Sequence, residues 1–165
     1  MSGSDLLLAL GRAHPALVHA PIGAVLFLPL ALGLALRGRP AGDPWLRTAC
    51  FLAVLGLLGG AAAVASGYGF GRELGGIAPG AWLAHPHRPE PSFLALLRHH
   101  QLLALAGFPA GAGCAACLMR ALRVRTGALR AAFGLSLLWL ALWGAAGHWG
   151  GRMVFKNPPG ERTLP

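Results

Sequence analysis

Acidic residues and lysine are nearly absent from this chain. Five Asp and Glu and a single Lys stand among 165 residues, and only 12% of the residues are charged. Soluble domains usually carry about 25% charged residues. The shortage argues against a water-soluble surface. It also argues against chemistry by paired carboxylates, because Glu73, Glu90 and Glu161 are scattered through loop-like stretches. With no nucleotide-binding loop and no catalytic triad, the sequence speaks against a self-contained enzyme. Cysteine is scarce too, and Cys50, Cys114 and Cys117 make no disulfide framework. Cys114 and Cys117 form a CxxC, but Leu118 follows where covalent c-type haem attachment needs His. They read as small packing residues of a helix. Residues 1–5 contain no Lys or Arg and the apolar run 6–10 is short, so the N-terminus does not read as a cleaved signal peptide. It reads as a surface turn of helix leading into the first span.

What is present is hydrophobicity: 55% of the residues, with a mean hydropathy of +0.58. Four apolar segments, 16–36, 46–70, 92–119 and 128–149, contain no Asp, Glu or Lys. Each is long enough for a hydrocarbon core of about 30 Å. In lipid the backbone must satisfy its own hydrogen bonds, so these segments are expected to be helices. The expected fold is all-α, a single-domain integral membrane antiparallel four-helix bundle over 1–165, with a flexible tail at 156–165.

The net charge is +9, almost all from arginine. The arginines punctuate apolar runs, which suits the ends of membrane spans and a bilayer partner rather than nucleic acid. Seven of them (Arg37, Arg39, Arg47, Arg120, Arg123, Arg125 and Arg130) flank the two short connections, with one acid, Asp43. The other side spreads its positive charge over longer segments with four acids. The short connections are therefore assigned to the cytoplasm and both termini to the outside. Gly56-x-x-x-Gly60, Gly107-x-x-x-Gly111 and Gly147-x-x-x-Gly151 allow close helix approach. Pro29 and Pro109 fall inside spans and are expected to kink them.

The seven histidines are His14, His19, His85, His87, His99, His100 and His148. In an antiparallel bundle all of them fall on one side, and none lies in an arginine-rich connection. His14 and His19 open the first span, His99 and His100 the third, and His148 ends the fourth. His85 and His87 sit in a Pro-rich loop as solvated side chains. His14 before Pro15 resembles a helix start. His99 and His100 point about 100° apart, and His100 shares its stripe with Ala104, Gly107, Gly111 and Cys114. Ionisable residues inside a membrane are functional candidates. Paired imidazoles can ligate haem iron within a bundle. Three can hold Cu or Zn. The plain alternative is that they cap helices and bond to carbonyls.

Residues 14–23, His-Pro-Ala-Leu-Val-His-Ala-Pro-Ile-Gly, resemble the opening signature of a bacterial family of four-helix membrane proteins of unknown function, typically His-Pro-x-x-Val-His-Phe-Pro-Ile. The likeness continues through Ala65-Ser66-Gly67 and His100-Gln101-Leu102-Leu103. It closes at Gly147-His148-Trp149-Gly150-Gly151-Arg152-Met153-Val154-Phe155. The chain departs at Ala20, where the family has an aromatic residue, after Gly67, where it often has an acid, and in the tail. The resemblance implies a bacterial membrane protein, and with the arginine placement both termini are expected in the periplasm of an inner-membrane protein. Some members carry fused cytochrome c modules, which implies a redox setting and a membrane redox complex or cytochrome c-like partner.

The leading expectation is a haem b-binding electron-transfer subunit with its site on the outer side of the membrane. His19, His100 and His148 are the favoured ligands and His14 is an orienting residue, with Arg98 or Arg152 meeting the haem propionates. The alternatives are a cofactor-free assembly subunit and a Cu-, Zn- or proton-handling protein that uses the same three histidines.

Overall fold

The computed structural model describes residues 3–37, 44–75, 93–123 and 126–156. They form five α-helices: α1 (Gly3–Leu17), α2 (His19–Arg37), α3 (Pro44–Gly75), α4 (Phe93–Ala121) and α5 (Thr126–Lys156). Four stretches are long and apolar enough to cross a bilayer: Gly11–Arg37, Pro44–Gly69, Leu96–Ala121 and Gly127–Met153. The first combines the end of α1 with all of α2. The chain is a multi-pass, all-α membrane protein.

The helix junction in the first span follows from its prolines. Pro21 has no N–H to give the Leu17 carbonyl, and Pro15 has none for Gly11. The bonds Val18 N–H to His14 O (3.1 Å) and Ile22 N–H to Val18 O (3.4 Å) carry the chain across the break. The expected helix start at His14–Pro15 is therefore corrected: α1 begins at Gly3, and Pro15 lies inside it. Pro29 and Pro109 also lie inside helices, α2 and α4, which continue through them. Pro44 opens α3, where a missing N–H is harmless.

Two boundaries run further than expected. α3 continues to Gly75 through the start of the Gly-rich stretch, and α5 continues to Lys156, placed in the tail from sequence. Packing explains both. α1 lies along α3, and α4 along α5, and such contacts override the weak helix propensity of glycine.

The helices form a ring in which α2 meets α3 and α5, and α4 meets α3 and α5. Among the described residues the diagonal pairs α2–α4 and α3–α5 do not touch backbone to backbone, and α1 reaches α2 and α3 but neither α4 nor α5. The interior is built of small residues, including Ala24, Ala31, Ala49, Ala53, Ala110 and Ala132, while Phe27, Phe51, Leu58 and Leu138 face outward. Leu58 is 68% exposed. This inverts the soluble pattern, because lipid tails are as apolar as leucine and only close packing drives helices together.

Two tryptophans of α5 fill the centre. A Cβ on Gly56 or Gly111 would meet Trp139 at 2.8 Å, and a Cβ on Gly60 or Gly107 would meet Trp143 at 2.3 or 2.0 Å. Of the three GxxxG pairs named above, two thus receive indole rings from α5, on α3 across the diagonal and on α4 beside it. The third, Gly147 and Gly151, meets nothing within 4 Å. Cys114 is buried and donates its thiol hydrogen to Ala132 O at 3.4 Å, as a packing residue would.

Candidate functional site: the histidine rim

Five histidines are described, and the antiparallel ring brings the ends that carry them to one rim. His85 and His87 lie outside the described residues. His14 and His100 are half-buried, whereas His19, His99 and His148 are exposed.

His14 is seated on α3. Its Nδ1 lies 2.9 Å from Ser66 Oγ. The Ser66 hydroxyl donates its only hydrogen to Ala63 O, at 3.0 Å. Ser66 Oγ is thus the acceptor and His14 Nδ1–H the donor. The Ala63 backbone is a further hydrogen-bond partner of the His14 ring, so two groups of α3 hold it. Ser66 is fully buried. Gly67 lets the ring lie close, for a Cβ there would come 3.1 Å from His14 Cε1.

His100 is seated on α5 in the same way. Its Nδ1–H donates to Ala146 O at 2.8 Å, a carbonyl that can only accept. A Cβ on Gly150 would come 3.2 Å from its Cε1 and Nδ1. A neutral His100 therefore carries its lone pair on Nε2. His14 belongs to the α1–α3 side of the rim and His100 to the α4–α5 side. Two turns further along α4 from His100, Gly107 packs on Trp143, whose indole N–H donates to Ala104 O at 3.0 Å. Phe108 meets the same indole edge-on at 5.7 Å between centroids.

The remaining candidates lie elsewhere on the rim. His19 donates its Nδ1–H to Pro15 O one turn back along its own span and is exposed. His148 is exposed and meets Trp149 edge-on at 6.0 Å. His99 stacks on Trp149 at 4.9 Å, and the Arg152 guanidinium carbon lies 4.7 Å from the centre of that ring. Arg98 is exposed. Positions two apart on a helix differ by about 200°. Arg98 and Arg152 therefore project away from the faces that carry His100 and Gly150. No group of three His, Cys, Asp or Glu side chains lies together among the described residues.

Sequence reasoning placed the histidines on one side and picked His100 over His99 as the inward residue. It missed Ser66, Gly67 and Gly150 as the seats of the two rings. The available signal was position: Ser66-Gly67 ends the second span on the side where His14 begins the first. No family model, no curated protein and no solved structure matches this chain.

Proposed function

We propose that the protein binds haem b at the rim and serves electron transfer, with His14 and His100 as the residues that would hold it. One observation carries the reading: two half-buried imidazoles, held from opposite sides of the rim, are each hydrogen-bonded through Nδ1 to a protein group. Metal-ligating histidines almost always give their second ring N–H to such a partner, which orients the ring and raises its basicity. Haem brings four nitrogens of its own and asks the protein for one or two imidazoles. A bare Zn or Cu ion takes three or four protein ligands, a set that does not come together among the described residues.

The proposal moves the ligand role from His19 and His148 to His14. Both of those side chains are exposed, and the ring bond of His19 and the ring contact of His148 stay within their own spans. It also leaves out Arg98 and Arg152, which face away from the pair. When bound, the haem would supply one-electron chemistry. The chain's part is to hold the two rings and to keep water from below with Trp143 and Phe108. The reading takes the chain as a member of the family whose motifs it resembles, in a bacterial inner membrane. Its arginine-rich connections would be cytoplasmic and its rim periplasmic, facing a redox complex or a cytochrome c-like donor.

The test is spectroscopic. Protein purified from haem-replete cells is expected to show a Soret band and visible bands that sharpen on reduction. His14→Ala and His100→Ala should each abolish the low-spin spectrum, while His19→Ala and His148→Ala should keep it. Wild-type protein that yields no extractable porphyrin would falsify the reading.

A further inference from the structure

The rim carries a second cluster beside the imidazole pair. Trp149 is its centre: His99 stacks on the ring, Arg152 lies over it and His148 meets it edge-on. Two helices supply these residues, and neither α4 nor α5 contains an Asp or Glu in its length. The cluster gathers the Arg152 guanidinium and two imidazoles on one indole. It sits where the apolar windows Leu96–Ala121 and Gly127–Met153 end, which is the depth of lipid phosphates. Tryptophan prefers that level, and guanidinium matches phosphate geometry.

We propose that this cluster is a binding site for the headgroup of an anionic phospholipid of the phosphatidylglycerol type. The Arg152 guanidinium, poised over Trp149, takes the phosphate. His99 and His148 flank it as further donors. The Trp149 ring supports the first acyl carbons below the glycerol. Positive charge at the membrane surface favours an anionic headgroup over a zwitterionic one. Arg152 lies about 200° around α5 from Gly150, the seat of His100, so the phosphate position is distinct from the imidazole pair.

The experiment is native mass spectrometry of the full chain released from detergent containing equal phosphatidylglycerol and phosphatidylcholine. The expected result is a retained phosphatidylglycerol adduct in at least fivefold excess over phosphatidylcholine. Arg152→Gln should reduce the excess to near unity, with the thermal melt unchanged to confirm folding. Trp149→Leu should lower it as well. Arg130→Gln, at the opposite rim, should leave it intact. Equal retention of the two lipids by wild-type protein overturns the proposal, as does a preference that survives Arg152→Gln or that follows Arg130 instead. Millimolar inorganic phosphate should not displace the adduct. Displacement would mean that the cluster reads a bare anion and not a lipid.

Discussion

Replacing Gly107 by Ala tests how the bundle is held together. The new Cβ would lie 2.0 Å from Trp143 Nε1 and 2.3 Å from Cδ1. Ordinary contact begins near 3.4 Å, so the ring must retreat by about 1.4 Å. Its opposite edge has no room. Cη2 lies 2.3 Å from where a Cβ on Gly60 would be. A Cα–Cβ bond is about 1.5 Å, so Cη2 is already within about 3.8 Å of the Gly60 Cα. A slide of 1.4 Å would drive it into α3 backbone. Trp139 and Phe108 block the other directions, at 5.0 and 5.7 Å between centroids. Overpacking of this kind costs about 1–3 kcal/mol. Displacing the indole also breaks its bond to Ala104 O, for about 1 kcal/mol more. A loss of about 2–4 kcal/mol should lower the melting temperature in detergent by about 5–15 °C for a chain of this length. Gly144→Ala and Gly147→Ala meet nothing within 4 Å and should melt at or slightly above wild type. Trimming the ring with Trp143→Phe should relieve part of the Gly107→Ala defect, giving a coupling of about 1 kcal/mol or more in the double-mutant cycle. If Gly107→Ala melts within a degree of wild type, or if the two substitutions add independently, the indole is not wedged between α3 and α4 and the packing argument is wrong.

Other substitutions separate the site from the scaffold. Ser66→Ala removes the acceptor for His14 Nδ1–H and should weaken haem retention about ten- to hundredfold, read by haem transfer to apomyoglobin; unchanged retention would make the Ser66 bond incidental. Gly150→Val presses on the His100 ring and should shift the redox midpoint and visible bands, whereas Gly151→Val, with nothing within 4 Å, should leave both alone. Alkaline phosphatase fused after residue 165 should be active and a fusion within the 120–127 connection inactive; the reverse pattern would invert the orientation drawn from arginine density.

The four spans were legible because the bilayer imposes a rule that one sequence can display: long apolar runs with arginine only at their ends. The common histidine side followed from counting crossings. The inward turn of His100 followed from the stripe Ala104, Gly107, Gly111 and Cys114, of which the last three are buried. Pairings between distant segments were not legible. Glycine spacing announced close approach, yet nothing local distinguishes a glycine that meets backbone from one that receives an indole across the diagonal, as Gly56 and Gly60 do. The same spacing at Gly147 and Gly151 meets nothing at all. Of the two histidines that open the first span, sequence favoured His19 as a ligand and made His14 an orienting residue. Their difference lies in the buried hydroxyl of Ser66 on a neighbouring helix. Arg152 read as a propionate partner because its charge is visible in sequence and its rotation about α5 is not.

That rotation ties the core to the site. Trp139, Trp143, Ala146 and Gly150 fall at steps of four, three and four along α5, so they share one stripe. The first two are seated in the glycine gaps of α3 and α4. The last two supply the carbonyl and the bare backbone against which His100 rests. α5 cannot turn about its axis to relieve a clash at Trp143 without also moving Ala146 O away from His100 Nδ1. A hydrogen bond of 2.8 Å tolerates little displacement. Substitutions that crowd Trp143 should therefore release the His100 ring as well as lower the melting temperature, though Gly107 is two helical turns from His100. A crowded variant that melts early yet keeps the wild-type haem spectrum at low temperature would show that the ring is held by something other than this stripe.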